Sequence, residues 1–430
     1  MDKGRIIPGR KMFGKICPFK GGKVMRKKLF MLFVVFFCVF SIHAGAVFAS
    51  DDVVMNDETG IPDKGLYQWI LETLEKKENE TFTKQEASAI EWLDTRGFRP
   101  IKSLKGIGCL SNMVQLDLRG HGLINLDGIE ELTKLKSLDL EGSRVKSLEP
   151  ISKLITLESL YIDNINLKSL KGIEGLKNLK SLSASKNKLK NIKEIKALVN
   201  LEVLYLDENK LTNIKAVSRL KKLRILNVRS NGLKKASGLK DLAELEQLDL
   251  SDNKLIDVQE IKYLKNLLQL SLSDNHLKKL PDLKNLKKLS SISVDRNYFT
   301  EKELKSKIPN KFWKNKNWRA DVVNLQKLNS DITFISPSSA KKITKNTTKI
   351  TGSISRLPGY TKDIYVQLYN PASSLYREKR WKVGADGKFE INGINLKKWA
   401  GQAVSLNVLV YSQKSKDWAI ANSIKFTVKK

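Results

Sequence analysis

The feature that most constrains the fold of this chain is an apolar pair that recurs with a constant period of 22, in nine copies without insertion or deletion. A coil of this length cannot bury its own apolar side, so each coil must lay a short strand beside the preceding one. Strands spaced about 4.8 Å apart would form a parallel sheet roughly 40 Å long. The repeat therefore predicts a solenoid over residues 101–300, with a curved parallel β-sheet and a continuous core. The pairs are Leu116/Leu118, Leu138/Leu140, Leu160/Ile162, Leu182/Ala184, Leu204/Leu206, Leu226/Val228, Leu248/Leu250, Leu270/Leu272 and Ile292/Val294.

A second column of the repeat is polar and is predicted to be structural. A buried turn leaves backbone N–H and C=O groups without water, and stacked side-chain amides can satisfy them. The first three copies carry His121, Ser143 and Ile165 in this column, which predicts a less regular beginning of the stack. The six later copies carry Asn187, Asn209, Asn231, Asn253, Asn275 and Asn297.

The segments on either side of the solenoid are predicted to cover its exposed ends. Residues 50–100 show helical spacing of apolar residues and a capping-box pattern at Thr83 and Glu86, which predicts a helical N-terminal cap. Residues 301–330 leave the 22-residue phase and are rich in lysine, which favours a closing segment and linker. An open repeat end requires such caps to shield its leucines.

Residues 331–430 change from a period of 22 to a period of two, as in Ile364, Val366 and Leu368. Short alternating strands separated by turns predict an all-β sandwich of the immunoglobulin-like kind. Trp381, Trp399 and Trp418 lie in this segment. A core position is favoured for these rings over a sugar-binding platform, because alternating strands usually bury them.

Residues 1–49 have the layout of a secretory signal peptide. A cationic stretch at 25–28 precedes an apolar run at 29–42 and small residues, with cleavage expected after Ala46 or Ala49. The run is shorter than the ~20 residues of a membrane span, so we expect a secreted, extracellular product without one. Met1 and Met25 are both candidate start codons. Cleavage would leave Cys109 as the only thiol, so no intramolecular disulfide is expected.

These features together resemble the internalin family of secreted and surface leucine-rich-repeat proteins of Gram-positive bacteria. The resemblance rests on Ile61-Pro62-Asp63 before the cap helix, the stretch IKSLKGI at 101–107, the 22-residue template, and the β domain behind it. It covers residues 60–430 and implies an α+β multidomain protein whose concave face binds a protein ligand, often a host or cell-surface protein. Wall-attached members end in a sorting signal that residues 425–430 lack. The resemblance is therefore closer to the released members, with at most loose association with the wall.

The outward residues of the strands form the predicted ligand-binding surface, because side chains alternate between the two faces of a sheet. Two outward columns contain seven acidic residues, two arginines and no lysine, so the concave face is predicted to be acidic. Tyr161 and Tyr205 share one column two repeats apart and are the predicted anchors. An alternative remains open, in which short polar side chains are simply what a tight sheet tolerates. The other candidate contacts are Val203, Ile225, Asn227, Arg229, Asp139, Glu141, Asp163, Asp207 and Asp249.

The sequence offers no convergent set of catalytic residues, and we predict no enzymatic activity, cofactor or metal. His121 and His276 are seven repeats apart, and Cys109 lies where a small buried residue is expected. Neither a phosphate-binding loop nor a Cys/His metal spacing is present in the sequence.

The charge of the chain leaves a second functional class open. Cleavage after residue 49 would leave 68 basic against 45 acidic residues, a net charge of +23. The lysines look dispersed and the chain is expected outside the cell, so a nucleic-acid partner is not predicted. The alternative function is a cell-envelope protein held electrostatically by anionic wall polymers or acidic glycans. A third reading is a structural spacer without a ligand, and we expect a monomer in each case.

Overall fold

The computed structural model describes residues 52–95, 99–315, 318, 322, 332–339, 342–354, 364–370, 380–384, 388–412 and 417–429. The predicted signal peptide at 1–49 lies outside these residues. Among the residues that are described, no helix combines the length and the apolarity needed to cross a bilayer.

In the described part of the chain, ten short strands form one parallel sheet in sequence order. Each strand pairs with the next in register, so that Leu116 lies opposite Leu138 and Leu204 opposite Leu226. The predicted repeat sheet is confirmed. The strands are β3 (Trp92–Asp94), β4 (Gln115–Asp117), β5 (Ser137–Asp139), β6 (Ser159–Tyr161), β7 (Ser181–Ser183), β8 (Val203–Tyr205), β9 (Ile225–Asn227), β10 (Gln247–Asp249), β11 (Gln269–Ser271) and β12 (Ser291–Ser293).

Strand β3 extends the predicted sheet of nine strands by one. Its residue Trp92 pairs with Gln115, so the step between the two strands is one residue longer than the repeat. This single extra residue hides β3 from a search for a constant period. The cap is therefore not only helical, because it contributes the first strand of the sheet.

The core of the solenoid is a continuous stack of leucine and isoleucine side chains with almost no solvent exposure, as Leu116, Leu160 and Leu204 illustrate. Burying one such side chain contributes roughly 1.5–3 kcal/mol, so the stack is the main source of stability. Short 3₁₀ helices form the opposite side of several coils and supply further core residues. They span Ile107–Cys109, Ile129–Glu131, Glu149–Lys153, Lys193–Ala197, Lys215–Arg219 and Gln259–Tyr263.

The N-terminal cap consists of α1 (Lys64–Thr73), α2 (Lys84–Ser88) and an antiparallel pair, β1 (Val53–Val54) with β2 (Phe82–Thr83). The predicted capping box at α2 is confirmed. The Thr83 N–H donates to the Glu86 carboxylate at 2.8 Å, and the Glu86 N–H donates to the Thr83 hydroxyl at 3.2 Å. These bonds satisfy two backbone donors at the start of the helix.

Asp63 joins the cap to the first coil. One carboxylate oxygen accepts from the N–H of Leu66 at 2.8 Å and so caps α1. The other accepts from the N–H groups of Lys102 and Ser103 at 2.8 and 3.0 Å. A single carboxylate therefore holds the helix and the first turn together.

The C-terminal end of the solenoid is closed by α3 (Glu301–Lys307) and α4 (Asn310–Trp313). Phe299, Leu304 and Ile308 are buried in the same core as the repeats. The Trp318 indole N–H donates to the carbonyl of Ile292 in the last strand at 3.1 Å. These contacts shield the final leucines from solvent, as a terminal cap must.

In the described residues of the C-terminal segment, two antiparallel sheets surround a separate core that includes the buried Trp399. Trp381 packs partly against this core, and the side chain of Trp418 lies outside the described residues. An immunoglobulin-like topology stays a prediction. The sheets contain β13 (Ile332–Ser336), β14 (Ile350–Ile354) and β17 (Lys388–Ile391), and β15 (Ile364–Tyr369), β16 (Trp381–Lys382), β18 (Ala403–Ser412) and β19 (Asp417–Thr427).

The asparagine column forms the predicted hydrogen-bonded ladder. The Asn187 amide N–H donates to the carbonyls of Ile162 and Ala184 at 2.8 and 3.1 Å, and its oxygen accepts from the Leu167 N–H at 2.9 Å. The same offsets recur in later copies. Each amide therefore satisfies backbone groups of two successive coils in the buried interior.

His121 takes over the role of the asparagine in the first coil. Its Nδ1 accepts from the N–H of Ile101, 20 residues earlier, which is the offset seen between Asn187 and Leu167. Its Nε2 lies 2.6 Å from the Thr95 hydroxyl, which itself donates to the carbonyl of Asp117. This arrangement requires a neutral imidazole, and burial lowers the pKa of His121 below its usual value.

Replacing His121 with asparagine is expected to make the free energy of unfolding less sensitive to acid. Below about pH 6.5 the unfolded chain binds a proton that the folded imidazole resists, so stability falls with decreasing pH. We expect the wild type to lose more stability than His121→Asn between pH 7.5 and 5.5, as measured by urea unfolding. Identical pH dependence of the two proteins would contradict the assigned role.

Ser143 marks a defect in the ladder. It occupies the asparagine column of the second coil, and its hydroxyl is buried with no hydrogen-bond partner among the described residues. Ser143→Asn is expected to stabilise the protein by about 1 kcal/mol, since the longer amide can bond backbone groups of the preceding coil as Asn187 does, and it replaces a buried hydroxyl that has no partner among the described residues. Urea unfolding measures the change, and a destabilised variant would show that the coil has no room for the amide.

Candidate ligand-binding surface

Three outward columns face the concave side of the sheet, from the first and third residues of each strand and the position two residues further on. The solvent exposure of the side chains varies along these columns, because several short side chains are buried while longer ones extend into solvent. Tyr161, Val203 and Tyr205 remain partly exposed near the middle of the sheet, in β6 and β8. This group forms the centre of the candidate surface.

Tyr161 and Tyr205 lie two strands apart, roughly 10 Å by the strand spacing. Burial, with smaller contributions from the charge of Asp207 and from Tyr161, raises the pKa of Tyr205 above its usual value. Its phenol therefore stays protonated at physiological pH and can donate a hydrogen bond. An aromatic ring with a polar tip is a frequent anchor in protein interfaces.

A hydrogen-bonded network between strands supports the two tyrosines. The Ser183 hydroxyl and the Ser185 N–H both donate to one carboxylate oxygen of Asp163, each at 2.7 Å. The Ser185 hydroxyl and the Asn227 amide donate to Asp207 at 2.5 and 3.1 Å. These bonds run across β6 to β9, so the base of the surface is held in one arrangement before any ligand arrives.

Three of the candidate contact residues are buried, which corrects the sequence-based expectation for them. Asp163 and Asp249 are each 5% exposed, and Ile225 is 6% exposed. The two carboxylates lie against the sheet because they accept hydrogen bonds from serines. Asp249, for example, accepts from the N–H and the hydroxyl of Ser251. These carboxylates support the surface, and the candidates that are partly exposed are the ones that can contact a ligand directly.

Arg229 and Asn227 extend the central group toward β9 and the following turn. The Asn227 side-chain oxygen accepts from the Arg229 N–H at 3.0 Å. Both side chains are partly exposed. Among the ion pairs of the described residues, none involves the Arg229 guanidinium, so its donors are available beside the tyrosines.

An acidic group lies toward the N-terminal end of the same face. The Arg119 guanidinium bonds Asp117 at 2.6 Å and lies 3.2 Å from Asp139. Burial, and to a lesser degree the charges of Asp117 and Glu141, raises the pKa of Asp139 to about 6 despite this pairing. The predicted acidic character of the face is thus concentrated here, with one arginine among three carboxylates.

Trp92 is an exposed aromatic residue on this face that the sequence analysis missed. It is 63% exposed and lies in the same column as Val203, at the first strand of the sheet. Aromatic rings are enriched in protein interfaces, so Trp92 joins the candidate contacts of this face. The sequence does contain a signal for this strand, because the dipeptide Leu-Asp follows both Trp92 and Gln115.

The remaining reactive groups of the solenoid are not part of this surface. Burial raises the pKa of the Cys109 thiol to about 11, which disfavours the thiolate. His121 is engaged in the first ladder position, as described above. Within the described residues, no group of three or more His, Cys, Asp or Glu side chains is arranged to hold a metal ion.

Family models match the middle of the solenoid. One, described as leucine rich repeats in two copies, matches residues 177–219, and another, described as leucine rich repeat, matches 199–255. The repeats are leucine-rich repeats. Proteins built from such repeats serve as protein-binding scaffolds, and the extended concave surface is the part that solenoids use. No curated protein sequence matches the chain significantly.

Solved structures with similar solenoids include two internalins of Listeria monocytogenes. Internalin C2 has a TM-score of 0.47 and 25% identity, over 50% of this chain and 94% of that one. A second internalin has a TM-score of 0.45 and 22% identity, over 57% and 85% of the two chains. A leucine-rich-repeat protein of Leptospira interrogans has a TM-score of 0.35 and 28% identity, over 50% and 69%.

Proposed function

We propose that this chain is a secreted, internalin-like binding protein that recognises a protein ligand on the concave face of its repeat sheet. The contact centre is Tyr161, Tyr205 and Arg229, with Val203 and Asn227 beside them. The observation that carries the proposal is the pair of partly exposed tyrosines on a base of interstrand hydrogen bonds. The ligand is a host or another cell-surface protein, because the predicted signal peptide directs the chain out of the cell.

The chemistry of the face favours a protein ligand over a polymer of uniform charge. Aromatic anchors, an accessible arginine and a polar surround are the composition of energetic centres in protein interfaces. Acidic residues near Arg119 would select a ligand with a complementary basic region and exclude acidic ones. A preformed base reduces the conformational entropy that binding would otherwise cost.

A bulky charged residue placed on the concave face tests this proposal. Ser181 is a half-buried first residue of β7, between the strands that carry the two tyrosines. We expect Ser181→Arg, in the mature chain 50–430, to capture at least about tenfold less ligand from extracts of surface proteins. Ser218→Arg is the matched control, because Ser218 is also half-buried but lies in the 3₁₀ helix Lys215–Arg219.

The control variant should capture the same proteins as the wild type. Equal capture by both variants would contradict a concave binding site. Binding should also decline only modestly between low and high salt, because burial of aromatic side chains is little affected by screening. A collapse of binding in high salt would favour the electrostatic alternative for this ligand.

A further inference from the structure

The turn that leaves each strand carries a row of basic side chains that the concave site does not use. Two columns of the repeat, one and three residues after the asparagine column, contain nine cations and no acidic residue over the nine copies. All nine side chains are exposed. We call this row the basic ridge, and it consists of Arg144, Lys146, Lys168, Lys188, Lys190, Lys210, Lys234, Lys254 and Lys278.

Backbone hydrogen bonds hold successive turns of the ridge in register. The N–H groups of Lys188, Lys210 and Lys254 donate to the carbonyls of leucines in the preceding coils at 2.7, 2.9 and 2.9 Å. One coil therefore follows the next at the strand spacing, and the cations from Arg144 to Lys278 extend over roughly 30 Å. The expectation that the lysines are dispersed is corrected by this arrangement.

The basic ridge is not neutralised by the protein. Among the ion pairs of the described residues, none includes any of its nine cations. Glu208 and Asp252 lie two residues before Lys210 and Lys254 in the chain, yet neither forms an ion pair with the ridge. Like charges one strand spacing apart repel one another. This repulsion destabilises the folded solenoid, and a bound anionic ligand would reduce it.

The opposite edge of the sheet shows that this charge distribution is not imposed by the fold. From β5 to β10, the position just before each strand alternates in sign from coil to coil. Lys180 pairs with Glu158 at 2.6 Å, and Arg224 pairs with Glu246 at 3.0 Å. The same coil spacing therefore permits pairing on one edge, while the two columns of the basic ridge on the other edge keep a single sign. The alternating residues are Lys136, Glu158, Lys180, Glu202, Arg224 and Glu246.

We propose that the basic ridge binds a linear phosphodiester polymer of the poly(glycerol phosphate) type, laid along the edge of the sheet. Eight of the nine cations are lysines, whose compact ammonium groups bind phosphate as point charges. From Arg144 to Lys278 the two columns contain one aromatic ring, that of His276, whereas single-stranded nucleic acids are held by stacking on successive rings. A continuous row of charges fits an unbranched polyanion without bases.

This site is independent of the proposed concave site, because it lies on the turns beyond the strands. It gives the chain a way to be retained by an anionic polymer while the concave face stays open to a protein. The polymer need not be specific in sequence, since the contact depends on the number of phosphates that meet lysines. Affinity should therefore depend strongly on salt.

Binding of the mature chain 50–430 to immobilised poly(glycerol phosphate) tests the proposal. The ridge variant combines Lys188→Gln, Lys190→Gln and Lys210→Gln. It should bind at least about tenfold more weakly near 0.15 M salt, and its slope of log affinity against log salt should fall by about 2. The control removes the same charge through Lys177→Gln, Lys265→Gln and Lys287→Gln, which are exposed on other turns, and should bind as the wild type does.

Replacement of the same three ridge lysines by arginine should retain binding, which separates charge from any effect on folding. Equal weakening by the ridge and control variants would show a general effect of net charge and would overturn the proposal. No binding by the wild type would also overturn it. Preferential binding of heparin, at equal anionic charge, would reject the phosphodiester polymer as the occupant.

Discussion

Asn209→Ala is expected to lower the free energy of unfolding by about 3 kcal/mol. The Asn209 amide donates to the carbonyls of Ala184 and Leu206 at 2.9 and 3.1 Å, and its oxygen accepts from the Leu189 N–H at 3.0 Å. Alanine would leave the buried Leu189 N–H without a partner. Each of the two carbonyls would lose one of its two hydrogen bonds, because Asn187 also donates to Ala184 and Asn231 also donates to Leu206. An unpaired buried donor costs roughly 1–3 kcal/mol, and the two lost hydrogen bonds to the carbonyls add about 1 kcal/mol each, partly offset by local relaxation. Urea unfolding followed by far-UV circular dichroism measures the loss.

Asn213→Ala is the matched control, because Asn213 is exposed and lies in the same coil. Its side chain accepts only from the nearby Lys215 N–H at 3.2 Å. We expect this variant to change stability by less than about 1 kcal/mol. Similar losses in the two variants would mean that the asparagine ladder contributes no more than an ordinary surface residue.

The double variant Tyr161→Ala/Tyr205→Ala is expected to weaken binding of the captured protein ligand by at least about 2 kcal/mol, roughly thirtyfold. Both rings are partly exposed on the concave face, and their removal deletes the largest apolar area at its centre. The strands and the network of Asp163, Ser183 and Ser185 remain, so the fold should be preserved. Titration calorimetry with the purified ligand measures the change.

Tyr263→Ala provides the control for this prediction. Tyr263 is 50% exposed and lies in the 3₁₀ helix Gln259–Tyr263, away from the concave columns. Its loss should leave affinity unchanged within about twofold. Unchanged affinity in the double variant, or an equal loss in Tyr263→Ala, would show that the tyrosines of the concave face are not the anchors.

The repeat sheet could be predicted from the sequence because a constant period of 22 leaves one way to stack the leucines. The prediction missed β3, since the step from Trp92 to Gln115 is one residue longer than the repeat and a strict period excludes that strand. His121 looked like an irregularity of the asparagine column. Its Nδ1 nevertheless accepts a backbone hydrogen bond at the offset that the asparagine oxygens use.

The sequence predicted which columns of residues face the candidate surface. It did not predict how exposed each of these side chains is. Alternation along a strand gives the face of a side chain, and hydrogen bonds between coils decide its depth. Asp163 and Asp249 are buried because neighbouring serines bond their carboxylates. The basic ridge was missed for a related reason, since lysines one repeat apart look scattered in a linear sequence and become neighbours only when the coils stack.

The most direct measurement of the central claim is the position from which the chain can be cross-linked to its protein ligand. A photoreactive amino acid would replace Ser159 on the concave side of β6 in one variant and Lys177 on an exposed turn in another. We predict that cross-links form from position 159 and not from position 177. Cross-links from 177 alone would place the ligand elsewhere and contradict recognition by the concave face.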